Sequence, residues 1–223
     1  MSTTLAFDVY GTLIDTHGVV SVLREMIGDE AEGFSQSWRD KQLEYSFRRG
    51  LMRDYKSFAV CTANALDYTC ALYQADISQE QKQALLAAYR TLPAFEEVEG
   101  ALTELSGNHC RLFAFSNGTA EAVERLLVNA GIRKYFEGIV SVDEIQSFKP
   151  DPAVYRHFLQ RTGASDSDAW LVSSNPFDVI GAINSGMRAA WVKRSTIAIF
   201  DPWGIEPTLI VESLTELYAG IGA

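Results

Sequence analysis

The chain has 223 residues, 47% of them hydrophobic and 22% charged, an ordinary globular composition with enough apolar mass for a sizeable core. Its formal net charge of -10 and a pI of about 4.8 argue against a nucleic-acid partner or an anionic membrane surface. No apolar stretch approaches the ~20 residues of a spanning helix, the start MSTTLAFDVYGT lacks the basic and apolar segments of a signal peptide, and Cys61, Cys70 and Cys110 form no CxxC pair, so a cytoplasmic protein without a disulfide framework or zinc site is expected.

The first segment, LAFDV, is an apolar run that ends at Asp8, with Gly11 soon after. It predicts a buried strand followed by a turn. Residues 16–97 then carry only helical periodicity. Trp38, Leu43, Phe47 and Leu51 recur at three- to four-residue steps, and Phe58, Thr62, Ala65, Leu66 and Thr69 keep a similar rhythm. Ser78 with Gln81 makes a capping box. This stretch is expected to be an all-helical cap, inserted into a core formed by residues 1–15 and 98–223.

Past the insertion, strands and helices alternate. RLFAFSNG reads as a strand that stops at Ser116 and Asn117, and Thr119 caps the helix TAEAVERLLVNAG, which Gly131 ends. GIVSV is the next strand. Asp151 and Pro152 open the helix DPAVYRHFLQRTG, with Gly163 as its stop. AWLVSSNPFD is a strand running into a shorter helix over residues 177–186, and RAAWVKR is the last predicted strand. Apolar runs with little alternation suit parallel strands buried on both faces. The expected class is α/β, a Rossmann-like parallel sheet with the helical cap inserted into it.

Ligands of such sheets gather at the carboxyl ends of the strands. These ends supply Asp8, Tyr10 and Thr12; Ser116 and Asn117; Lys149; and Ser173, Asn175 and Asp178. Each alone has a plain structural reading as a cap, a turn former or a solvated charge. Together they bring two carboxylates, an ammonium and several hydroxyl and amide groups to one crevice.

The segments FDVYGTLID, FSNG, the Lys149–Pro150 pair and SSNPFD resemble the four motifs of the haloacid dehalogenase superfamily. FDVYGTLIDTHGV, WRDKQLEYSFRRGLM and SFKPDPAVY are similar to its L-2-haloacid dehalogenase branch, and the likeness runs along essentially the whole chain. The superfamily's phosphatases carry a second Asp two residues after the nucleophile; here that position is Tyr10. Their last motif usually adds acidic metal ligands, but here Asp178 is the only acidic residue of SSNPFD. Fewer carboxylates weaken the case for magnesium, a hard cation held by oxygen ligands, so no metal and no cofactor are expected.

The resemblance implies a small halogenated carboxylic acid as substrate and Asp8 as a carboxylate nucleophile. It places Arg39 as the halide cradle, with Leu43, Phe58, Tyr10 and Phe177 as an apolar pocket. From periodicity alone, Leu43 and Phe58 read as cap core and Arg39 as an exposed helix charge. The branch often has a tryptophan where this chain has Phe177. Backbone N–H groups at Val9 and Tyr10, with Ser116 and Asn117, are expected to hold the substrate carboxylate. Lys149 would keep Asp8 ionised, and Thr12 and Ser173 would brace it. Asp178 would anchor Lys149 and, with Asn175, position or activate the hydrolytic water. Tyr155, one turn into its helix, is placed to reach back toward Lys149 or simply to pack. A homodimer is common in the branch, and Trp38, Tyr45 and Phe47 are the cap residues considered for it. Three rival readings are a magnesium-dependent phosphatase of small metabolites, a non-catalytic binding protein on the same fold, and a glycosidase. The last leaves Lys149 and Arg39 unexplained.

Overall fold

The computed structural model describes residues 3–222. Strand β1 (Thr4–Phe7) is followed by the helices α1 (Gly18–Ile27), α2 (Ala31–Met52), α3 (Phe58–Tyr73) and α4 (Gln79–Ala88). Then come α5 (Val98–Gly107), β2 (Arg111–Ser116), α6 (Ala120–Asn129), β3 (Gly138–Ser141), α7 (Pro152–Thr162), β4 (Ala169–Ser173), α8 (Pro176–Asn184), β5 (Arg188–Val192), β6 (Leu209–Val211) and α9 (Leu217–Ile221). Among the described residues no helix is long and apolar enough to cross a membrane.

The six strands form one sheet in the order β3-β2-β1-β4-β5-β6, and every pairing is parallel. Both faces are covered, so the side chains divide by parity. Leu5 and Phe7 of β1 and Leu112 and Ala114 of β2 join the core under α5, α6 and α9. Ala6, Phe113 and Phe115 join the core under α7 and α8. This explains why the strands read as unbroken apolar runs. Strand order reverses between β1 and β4, and the crevice beyond their carboxyl ends is where such sheets bind ligands.

Helix ends follow the local signals. The Thr119 hydroxyl accepts the Ala122 N–H at 3.3 Å, Asp151 accepts the Ala153 N–H at 2.8 Å, and both bonds of the Ser78–Gln81 capping box are present. Gly163 ends α7 with φ of 67°, a left-handed conformation that favours glycine.

Helix α2 corrects the expected core stripe. Its buried face is Phe34, Trp38, Gln42 and Ser46, and Leu51 is 87% exposed. Two polar side chains fill apolar positions because each finds a partner: Gln42 donates to the Thr62 hydroxyl and Ser46 to the Leu43 carbonyl. Arg39, Leu43 and Phe47, spaced four apart, share a second face. Phe47 packs edge-on against Phe177 of α8 with ring centroids 5.1 Å apart. Trp38 is fully buried inside the chain, its indole N–H donating to the Thr62 carbonyl at 2.9 Å, so it presents nothing to a second copy.

The segments that lead from β1 into α1 and from α4 into α5 run side by side. Asp15 N–H donates to the Pro93 carbonyl at 2.9 Å and Phe95 N–H to the Leu13 carbonyl at 3.1 Å. Apolar residues of α1–α4, including Leu23, Phe34, Leu66 and Leu85, are continuous with the core beneath β1. Strand β6 and helix α9 extend the expected fold: Leu209–Val211 is only a three-residue edge strand, too short to show a period.

Candidate active site

Asp8 follows the last residue of β1, and its carboxylate is almost buried. Four groups hold it. Oδ2 accepts from the Thr12 hydroxyl at 2.9 Å, from Asn175 Nδ2 at 2.8 Å and from the Ser173 hydroxyl at 3.3 Å. Oδ1 faces Lys149 Nζ at 3.2 Å. The turn after β1 brings Thr12 back onto Asp8, and Gly11 within it has φ of 82°.

Lys149 is 1% exposed. Its ammonium donates to Asp8, to the Phe115 carbonyl at 2.9 Å and to Asp178 Oδ2 at 2.7 Å, and it lies 4.2 Å from the centroid of the Phe115 ring. Burial pushes the lysine down, but the Asp178 and Asp8 carboxylates outweigh it and hold its pKa above the usual 10.5. Burial raises the Asp178 carboxyl, Lys149 opposes that rise, and Asp8 adds to it.

Two expectations are corrected here. The Tyr155 hydroxyl donates to Asp178 Oδ1 at 2.8 Å, not to Lys149, since an ammonium has no lone pair to accept it. Burial, then the Asp178 charge, lift the Tyr155 phenol well above its usual range. Asp178 itself is fully buried, with both oxygens engaged by Lys149 and Tyr155. It lies behind the lysine and has no access to a water beside Asp8. Asn175 does reach that space.

A small cavity of about 20 Å³ adjoins Asp8. Tyr10, Arg39, Leu43, Phe58, Ser116, Asn117, Lys149, Asn175 and Phe177 complete its lining. Thus α2 and α3 of the insertion supply Arg39, Leu43 and Phe58, and the strand ends supply the rest. Val9 does not line it: its side chain is in the core, so any ligand contact from Val9 is through its backbone. The Ser116 hydroxyl accepts the Gly118 N–H at 3.0 Å. The Asn117 amide oxygen accepts the Lys149 N–H at 3.0 Å, which ties the second strand end to the lysine loop.

Arg39 is drawn inward rather than solvated. Its Nη2 donates to the Tyr10 carbonyl at 3.2 Å and to Asn175 Oδ1 at 3.1 Å. Both acceptors are neutral, and Arg39 makes no ion pair among the described residues. A side chain at Gly11 would crowd it, because a Cβ there would stand 2.8 Å from Nη2.

Two supporting residues escaped the sequence reading. Ser174 N–H donates to the Thr12 hydroxyl at 2.9 Å and its own hydroxyl to the Gly11 carbonyl at 2.8 Å, locking β4 to the turn after β1. Trp191 of β5 donates to the Ser174 carbonyl at 3.1 Å. The adjacent serines of SSNPFD were the available signal for Ser174; nothing local marked Trp191. Among the described residues no group of three or more His, Cys, Asp or Glu side chains is arranged to hold a metal ion.

A family model of haloacid dehalogenase-like hydrolases matches residues 3–186. The (S)-2-haloacid dehalogenase of Pseudomonas sp. (strain YL) is 37% identical over 210 residues, covering 94% of this chain and 90% of that protein. The chain belongs to the haloacid dehalogenase-like hydrolases, in their (S)-2-haloacid dehalogenase branch. Haloacetate dehalogenase H-2 of Moraxella sp. (strain B) is 39% identical over 207 residues, 93% of this chain and 92% of that protein. The L-2-haloacid dehalogenase of Xanthobacter autotrophicus, solved with chloropropionic acid covalently bound, superposes with a TM-score of 0.92 at 29% identity, covering 100% of this chain and 99% of that one.

Proposed function

We propose that the protein hydrolyses short (S)-2-haloacids to (R)-2-hydroxy acids, with Asp8 as the nucleophile and without a metal ion. The observation that carries this reading is the surroundings of Asp8: one oxygen faces the Lys149 ammonium and the other three neutral donors, with the unpaired Arg39 guanidinium across a largely apolar cavity. Such a carboxylate is oriented and close to a cation that has no carboxylate partner of its own.

Asp8 attacks the halogen-bearing carbon from the face opposite the halide. A C–O bond forms as the C–halogen bond breaks, the centre inverts, and an ester remains on Asp8. Arg39 receives the charge building on the leaving halide. Water then adds to the ester carbonyl and releases the hydroxy acid. Backbone N–H groups of the turn after β1, with Ser116 and Asn117, hold the substrate carboxylate. Asn175, which touches both Asp8 and the cavity, orients the water. Tyr10 stands where a phosphatase would carry a second carboxylate, and Lys149 supplies beside Asp8 the positive charge a divalent ion would bring.

The test is bromide release from both enantiomers of 2-bromopropionate, with and without EDTA. Turnover of the (S) enantiomer alone, unchanged by EDTA, is expected; loss of bromide release on chelation would overturn the metal-free mechanism, and no bromide release under either condition would favour the phosphatase reading. Arg39→Ala is expected to lower kcat roughly 100-fold, the usual scale for removing a donor from developing charge, and Gly11→Ala to lower it in the same direction by displacing the guanidinium. An Arg39→Ala kcat within threefold of wild type contradicts the halide role.

A further inference from the structure

A second cavity, of about 130 Å³, lies across Tyr10 and Phe58 from Asp8. These two rings line both spaces, with centroids 6.3 Å apart and planes tilted by 42°. The outer wall comes from α3 and α4 of the insertion and the first turn of α6, through Ala59, Leu86, Tyr89 and Ala122. Among its polar lining, Gln42 donates to Thr62, whose hydroxyl donates to the Phe58 carbonyl at 2.9 Å, and Arg90 and Thr119 stand at its border. No hydrogen bond holds the Tyr10 hydroxyl among the described residues, so packing alone fixes that ring.

We propose that this cavity receives the alkyl chain of the substrate beyond its first side-chain carbon, so that the site takes 2-haloacids with side chains of up to about four carbons. The inference rests on the dehalogenase reading and deepens it. The space beside Asp8, about 20 Å³, leaves no room for a longer chain in place. The second cavity approaches the ~150 Å³ of an apolar cavity able to take a benzene ring. The opposite exit is unsuited to hydrocarbon. Arg39 and Asn175 border a cleft of about 620 Å³ that also displays Arg24, Glu32 and Arg194, a charged path fit for water and the leaving halide.

The test compares kcat/KM for (S)-2-bromopropionate and (S)-2-bromohexanoate in the wild type and in Ala122→Leu and Ala59→Leu, which fill the second cavity from two different helices. Both substrates are measured on the same preparation, so partial misfolding cancels in their ratio. In the wild type the hexanoate is expected to match or exceed the propionate. Each variant should lower the hexanoate-to-propionate ratio by about tenfold, because each buried methylene is worth roughly fourfold in binding. A wild-type hexanoate value 100-fold below the propionate overturns the proposal, as does an unchanged ratio in both variants; either result leaves dehalogenation standing. Absence of bromide from every substrate removes the dehalogenase reading itself, and this proposal with it.

Discussion

Asp8→Asn is expected to lower halide release from (S)-2-bromopropionate by a factor on the order of 10⁴ or more, the scale seen when a covalent nucleophile is removed. The substitution keeps the shape of the side chain. Its remaining oxygen still accepts a hydrogen bond from the neighbours that now hold Asp8, so the turn after β1 should survive. What disappears is the negative oxygen that forms the ester. Circular dichroism and the melting temperature should therefore stay near wild type while turnover falls below detection. A variant retaining a tenth of the wild-type rate would leave Asp8 as a positioning group and require another nucleophile.

Lys149→Met should damage the fold as well as the chemistry. The ammonium is 1% exposed and sits between two carboxylates, 3.2 Å from Asp8 and 2.7 Å from Asp178. Deleting one partner of a buried pair leaves the other charge uncompensated and costs about 3–5 kcal/mol. For a chain of this length that lowers Tm by roughly 10 °C. Adding Asp178→Leu removes one stranded carboxylate and should recover part of the loss, though not activity, since Asp8 still lacks its cation. Equal melting temperatures for the single variant and the wild type would show that the pair contributes nothing net. The pH dependence has a defined sign. The folded pKa of Lys149 is raised above 10.5, so its contribution is complete below that value and is lost as pH rises through the higher folded one. The Tm difference between wild type and Lys149→Met should stay level from pH 7 to about 10 and shrink only above it.

The polar strand ends were legible because each motif stops a buried strand. Asp8, Ser116, Ser173 and Asn175 interrupt apolar runs in a sheet covered on both faces, and the strand order carries them to one crevice. The helices between β1 and β2 were readable from their rhythm, yet their facing was not. Periodicity ranks side chains by polarity, and in α2 Gln42 and Ser46 are buried through hydrogen bonds while Leu51 is left in solvent. The donors around Lys149 were misassigned for a related reason. Sequence proximity put Tyr155 near the lysine, but only the packing of α7 against α8 shows that Asp178 stands between them and accepts the phenol. Trp191 acts through the Ser174 backbone carbonyl, a contact that no residue type announces. Residues Leu209–Val211 are too few to separate a strand from a loop.

Single turnover with enzyme in excess, run in heavy-oxygen water, addresses the central claim most directly. Attack of water on the Asp8 ester carbonyl leaves the solvent oxygen in the enzyme, so the peptide containing Asp8 should gain the heavy isotope while the first hydroxy acid released carries none. Label found only in the hydroxy acid, with the Asp8 peptide unchanged in mass, would mean that water displaces the halide itself and would contradict the ester mechanism.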